Sequence, residues 1–268
     1  MCLIIFDWQP DKKRKLTLAS NRDEFYNRPS QNAHFWNDYP YIYGGRDLKA
    51  QGTWLAVSTK NRLAAVTNYR EPEPFSATPA RSRGDLTRNF LTSKLSASAF
   101  ADSLKKVEYP GFNALFFDGS QLVYCTNRYP SAIDTQTQYF YTTLEAGRYG
   151  LSNHVLDTPW QKVNIAKPTL DKAARMQEPE KVTNILLNIL ANQAHAPDDA
   201  LPDTGINIEW EKLLSPIFIT SPEYGTRTST VILIDQNQNK TNTIRFHERQ
   251  YNKSPDLFED HFQTIDCI

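Results

Sequence analysis

Along this chain apolar residues gather in short runs between polar turns, and only a few stretches show the three-to-four-residue spacing of an amphipathic helix. The chain reads as a series of hairpins. Residues 2–8 and 15–20 flank the polar turn Gln9–Arg14, where Pro10 and Asp11 supply turn chemistry, and predict the first pair of strands. Asn21, Arg22, Asp23 and Glu24 follow as a loop at the Cys2 end of that sheet. Residues 26–50, rich in Tyr, Trp, Asn and Pro, show neither period and read as a long loop. Gly52–Val57 and Arg62–Thr67 predict a second hairpin around Lys60-Asn61, ending at Asn68, Tyr69 and Arg70.

Prolines at 72, 74 and 79 and the run Arg81-Ser82-Arg83-Gly84-Asp85 make a loop entering a helix, with Leu86, Phe90 and Leu91 on one face. A short helix over 97–106, strands at 112–118 and 121–127 joined by Asp118-Gly119, and a further strand within 133–144 come next. A glycine-entered loop then presents Ser152 and Asn153 before a helix with Thr158 as N-cap and Pro159 at its first position. The clearest helix holds Val182, Ile185, Leu186, Ile189 and Leu190. After a polar excursion at 195–210 come Ile217–Ile219, the polar run Tyr224–Thr230, strands at Val231–Ile234 and Thr241–Arg249, and a closing helix over 257–262.

Strands apolar on both faces need cover on two sides, and helices at 86–104, 160–175 and 180–192 provide it. The economical architecture is an α+β fold of two packed antiparallel sheets with helices outside; the alternative is an ordinary two-layer α+β domain. With no internal repeat or linker, 1–268 reads as one domain.

Composition narrows the function. Thirty basic and thirty acidic residues cancel, without a long block of one sign, so neither nucleic acid nor a charged membrane surface is an expected partner. Cys2, Cys125 and Cys267 are widely spaced and form no paired motif, which points to a reducing compartment, the cytoplasm. The first apolar run, Leu3–Phe6, is too short for a signal peptide or a membrane span. No zinc or haem-attachment motif is present, so no metal site is expected.

Cys2 carries the sharpest chemistry. Were Met1 trimmed, a thiol and a free α-amine would share one carbon, and the amine, titrating near ~7.7–8.0, could accept the proton of a thiol titrating near ~8.5. That pair replaces the cysteine and histidine of a conventional dyad. A retained Met1 blocks it. Asp23 could hold the α-ammonium while Arg22 lowers the thiol's pKa or orients a carboxylate, with Asn21 and Glu24 holding both. The Asn68 amide could stabilise an oxyanion, and Arg81 and Arg83 near a helix start could meet a phosphate or carboxylate.

Taken together, Cys2-Leu3-Ile4, Asn21–Glu24, Gly52-Thr53-Trp54, Thr67–Arg70, Ser82-Arg83-Gly84, Leu151-Ser152-Asn153 with Thr158-Pro159-Trp160, and Gly225–Thr230 resemble the NRDE family, also called the Transport and Golgi Organization protein 2 family, over nearly the whole chain. That family looks like a member of the N-terminal-nucleophile hydrolase superfamily, which implies a four-layer αββα sandwich. Resemblance to its cysteine acylases, penicillin V acylase and bile salt hydrolase, implies Cys2 as nucleophile flanked by Arg22 and Asp23. It further implies Asn68 or Tyr69 and Asn153 serving the oxyanion, with Arg227 bracing the site. Ser152 and Arg70 join the ligand-binding set. The NRDE resemblance also implies haem mobilisation and transfer to apo-haemoprotein acceptors, or acyl-coenzyme A and lipid handling. Haem would be cargo and not a required cofactor, and His34, His154, His195, His247 and His261 form no ligation motif. The expected function is haem handling on a hydrolase scaffold, with an amidase or thioesterase using Cys2, or an acyl-coenzyme A binder, as alternatives.

Overall fold

The computed structural model describes residues 2–71, 81–130 and 138–268, and of Cys2 the backbone alone. The chain divides into two compact units, one running to Asn27 and resuming over Ala146–Ile265, the other formed by Arg28–Glu145 with Asp266–Ile268. Strands β1 (Cys2–Trp8) and β2 (Arg14–Phe25) open the first. The second holds β3 (Ser30–Phe35), β4 (Ile42–Asp47), β5 (Leu55–Ser58), β6 (Arg62–Asn68), α1 (Gly84–Thr92), α2 (Ala97–Ser103), β7 (Phe112–Phe117), β8 (Leu122–Thr126) and β9 (Phe140–Thr143). The chain then returns to the first unit with β10 (Gly147–Leu151), α3 (Gln161–Ala174), α4 (Pro179–Leu190), α5 (Ile208–Leu213), β11 (Tyr224–Gln236), β12 (Asn242–Tyr251) and β13 (Phe258–Asp266).

In the first unit the strand order is β10-β1-β2-β11-β12-β13, so β1 lies between β2 and β10, antiparallel to both. Alternation sends Leu3, Ile5, Ala19, Val231 and Leu233 to one face, where they pack against Val163, Ala166 and Leu170 of α3 and Val182, Leu186 and Leu190 of α4. Each fully buried aliphatic contributes about 1.5–3 kcal/mol. Gly150 makes the close approach of α3 to β10 feasible, since a Cβ there would lie 2.4 Å from Val163 Cγ1.

In the second unit β3 to β9 form an antiparallel meander in chain order. Ala56, Ala64, Ala114 and Phe116 on one face receive Leu86, Phe90 and Leu91 of α1 and Phe100 of α2. The small alanines admit the helices, and Phe90, Phe100 and Phe116 interlock with ring centroids 4.7–5.2 Å apart. Backbone meets backbone where α1 begins. A Cβ on Gly52 would lie 2.4 Å from the Gly84 carbonyl, and Thr87 Oγ1 donates to Thr53 O at 2.6 Å. The Gly52-Thr53-Trp54 and Ser82-Arg83-Gly84 motifs therefore dock a helix.

Several expectations are corrected. Asn21–Glu24 are not a loop; they continue β2, because β11 extends alongside and pairs Asn21 with Ser229 and Asp23 with Thr226. Tyr224–Thr230 is correspondingly strand. The aperiodic stretch 26–50 contains β3 and β4, held by cross-strand pairing and by Ile42 and Trp36, which are buried in the core of the unit, Trp36 also donating to Gly44 O. Helix α3 starts two residues late, with Trp160 as N-cap: Thr158 Oγ1 instead donates to Val155 O. Residues 257–262 begin strand β13 and not a helix, as Arg249 on β12 grips Asp260 through two hydrogen bonds. The prolines at 72, 74 and 79 and residues 131–137 lie outside the described residues; within 138–144 the expected strand is β9.

Candidate functional site

The antiparallel pairing of β1 and β2 sets the Cys2 backbone directly across from Arg22, and Leu3 across from Asn21. On its other edge β2 pairs with β11, where Arg22 faces Thr228 and Asp23 faces Thr226, leaving Arg227 as an extra residue in a β-bulge. Bulges re-aim side chains and collect beside active sites. Here Arg227 Nη1 turns back to donate to Phe25 O at 3.1 Å, holding the exit of β2 against β11. Burial lowers its pKa while Glu24 and Tyr26 oppose that, and the guanidinium stays charged.

Asp23 is 3 % exposed. Its Oδ1 accepts from Thr226 Oγ1 at 2.6 Å, and its backbone oxygen accepts from Tyr224 OH at 3.0 Å. Burial raises the carboxyl's pKa, against the opposing charges of Lys162 and Arg22 and the Thr226 hydrogen bond. The two cations and the hydroxyl oppose the effect of burial without overcoming it. Arg22 is buried as well, and Glu24 Oε1 accepts from the Phe25 amide.

Asn21 is a brace. Its amide donates to Leu190 O and Ile217 O, both at 2.8 Å, and its oxygen accepts from Ser229 Oγ, which also accepts from Tyr251 OH at 2.9 Å. The end of α4 and the 217 segment are thereby tied to the strand that carries Arg22 and Asp23.

From Leu151, paired with Ile4, the chain continues as Ser152 and Asn153 toward the Cys2 end of β1. Both are buried, and Ser152 Oγ donates to Asn153 Oδ1 at 3.4 Å. A tight loop fixes them: the Gly150 amide donates to Asp157 Oδ1, the Asp157 amide returns to Gly150 O, and Asp157 adopts a left-handed φ of 61°. His154 Nδ1 lies 2.8 Å from Thr158 Oγ1, and burial holds its pKa below the usual imidazole value.

The remaining predicted residues belong to the second unit. Asn68 ends β6 exposed, paired with Phe112; the Tyr69 amide donates to Gly111 O, and burial together with Glu71 raises the Tyr69 pKa. Arg70 is buried. Arg83 Nε donates to Gly111 O at 2.8 Å, and Arg81 is exposed, its charge opposing the rise that burial causes in the Tyr109 pKa. The structure thus brings Arg22, Asp23, Glu24, Asn21, Ser152, Asn153 and Arg227 to the Cys2 end of one sheet. Among the described residues no group of three or more His, Cys, Asp or Glu could hold a metal ion, and no helix is long and apolar enough to cross a membrane.

Lys162 was not anticipated. It is 3 % exposed and shares the buried stripe of α3 with Ala166, Leu170 and Ala173. The signal lay in the spacing: a lysine stands where the helical period calls for an apolar residue. Thr226 was likewise hidden within a strand-forming run.

Comparison with known proteins places these features in a lineage. The family model for Transport and Golgi organisation 2 matches residues 1–253. The mouse and human Transport and Golgi organization 2 homologs are 39 % and 38 % identical, each match covering 91 % of this chain and 92 % of the relative. The Drosophila melanogaster protein of that name is 30 % identical over 91 % of both chains. Among solved structures, a Caenorhabditis elegans N-acylethanolamine-hydrolyzing acid amidase ortholog matches with a TM-score of 0.51 at 10 % identity, covering 86 % of this chain and 92 % of its own. The C2A mutant of conjugated bile acid hydrolase from Clostridium perfringens also scores 0.51, at 8 % identity, covering 99 % and 92 %. At such identities the likeness is one of fold, the α+β sandwich class expected from the sequence. The relatives settle the lineage: this chain belongs to the Transport and Golgi organisation 2 family.

Proposed function

We propose that the protein is an N-terminal-cysteine hydrolase that opens the amide or thioester bond of an acyl-bearing small molecule, acyl-coenzyme A being one such thioester. The observation that carries this reading is the register setting Cys2 across from Arg22 and one residue from the buried Asp23. The fold likeness to an acid amidase and to a bile acid hydrolase solved as its C2A mutant supports it, because that hydrolase also has a cysteine at its second position.

With Met1 removed, the α-amine takes the Cys2 thiol proton and the sulfur attacks the acyl carbonyl carbon. Arg22 favours the thiolate, and Asp23 holds the ammonium that forms. The Asn153 amide stabilises the oxyanion, an effect worth roughly 3–4 kcal/mol when preorganised. Collapse breaks the C–N or C–S bond, and the leaving group takes the proton from the ammonium. Water, deprotonated by the same amine, then releases the acid from the Cys2 thioester. Turnover of N-acyl amides and acyl thioesters by the purified chain tests this: wild type hydrolyses one class and Cys2→Ala neither. Wild type inert toward both contradicts it. The reading includes a cytoplasmic location, in keeping with the buried free thiols of Cys125 and Cys267.

A second reading, haem carriage to acceptor proteins, draws support from His154. It directly follows Asn153, and burial lowers its pKa, which favours the neutral imidazole that binds iron. Hemin titration followed at the Soret band, with transfer to an apo-haemoprotein, tests it. Saturable binding lost in His154→Ala supports carriage, and no saturable binding rejects it.

A further inference from the structure

We propose that Lys162 is a positioning residue of this site, its ammonium lying under the Cys2 end of the sheet to keep Asp23 ionised and aimed. The inference rests on the hydrolytic reading for its purpose but not for its test. Three independent observations lead to it. First, Lys162 is 3 % exposed within a stripe otherwise apolar, and a buried ammonium is costly unless an anion compensates it. Second, it occupies the first turn of α3, where the helix dipole disfavours a cation, so both local rules are broken at one residue. Third, Asp23 shares the helix-covered face of β2 with Ala19 and Asn21, by the two-residue alternation of the strand, and it too is buried.

The packing of α3 fixes this arrangement. Val163, next to Lys162, rests on Gly150, where no side chain could intervene, and Ala166 and Leu170 carry the same stripe onto Leu3 and Ile5. Charged and titratable groups facing Asp23 come from every neighbouring element. They are Lys162 from α3, Arg22 from its own strand, Tyr26 just beyond it, and Tyr224 from β11, whose hydroxyl donates to the Asp23 backbone oxygen. Thr226 adds a neutral donor at 2.6 Å. The charge of Lys162 lowers the Asp23 pKa against the larger effect of burial. Its absence would leave Arg22 and the Thr226 hydrogen bond to oppose burial.

The test is the titration of the Asp23 carboxyl, followed by carbon NMR on aspartate-labelled protein and assigned by its loss in Asp23→Asn. In Lys162→Gln the midpoint should rise by about one pH unit or more, a tenfold weaker acid, as expected for removing an adjacent opposite charge. Lys162→Arg should leave it within a few tenths of a unit. An unmoved midpoint in Lys162→Gln, or one that moves equally in both variants, overturns the inference. Should Lys162→Gln not fold, the wild type decides: an Asp23 carboxyl still protonated at pH 7 overturns it, and an ionised one that Lys162→Arg preserves supports it. Because no turnover is needed, a shifted midpoint in a chain lacking hydrolase activity would retain the Lys162–Asp23 couple while removing the hydrolytic reading. The acid limb of kcat/KM, where turnover is seen, should move upward with the midpoint.

Discussion

Burial raises the Asp23 carboxyl above its ordinary pKa, and that direction fixes a sign. An acid whose folded pKa exceeds its unfolded value weakens the fold as pH rises from the unfolded pKa to the folded one, by about 1.4 kcal/mol for each unit of difference. Asp23→Asn escapes this penalty and still accepts from Thr226. Its urea midpoint should match wild type at pH 3 and equal or exceed it at pH 7, while turnover falls at least ~100-fold. A variant markedly less stable at pH 7 would make Asp23 a structural anion. Arg227→Ala should instead lose about 1–2 kcal/mol, since the Phe25 and Tyr26 carbonyls lose a charged donor.

Among the elements, β2 does most to build the site, because one strand carries a brace, Asn21, beside two site residues. Asn21→Ala removes three hydrogen bonds that join β2 to α4, the 217 segment and β11, and should cost about 3 kcal/mol in urea denaturation. Gly52→Ala should cost a similar amount, its Cβ colliding with the rigid Gly84 backbone and shifting α1. Such pairings explain what sequence patterns conveyed. The hairpin of β1 and β2, the strands β5 to β8 and the helix of Val182 to Leu190 follow from apolar period alone. The strand character of Asn21–Glu24 was illegible because its polar side chains are satisfied by β11, some two hundred residues away in sequence. Residues 26–50 hid β3 and β4 because β3 is largely polar and β4 is interrupted by Gly44 and Gly45, so neither shows a regular apolar alternation, and β13 was hidden because Leu257, Phe258 and Phe262 are exposed and mimic a helical spacing. Cys2, Arg22, Asp23 and Asn153 were found through motif order, while Lys162 required knowing which face of α3 is buried.

At the scale of the whole molecule, three cysteines divide by environment. Burial pushes the Cys125 thiol up to about 12 and the Cys267 thiol up to about 11, so neither supplies thiolate near neutrality. Iodoacetamide at pH 8 should alkylate the native chain once, at Cys2, and at three positions after denaturation, as peptide mapping would show. Labelling of native Cys125 or Cys267 would contradict the burial described here.

Intact-mass spectrometry of the purified protein before and after brief exposure to an acyl thioester addresses the N-terminal nucleophile most directly. The predicted result is a chain lacking Met1 that gains one acyl group, loses it with time, and gains none when Cys2 is replaced by alanine. A chain that keeps Met1, or a Cys2→Ala variant acylated equally, would contradict an N-terminal cysteine as the reacting group.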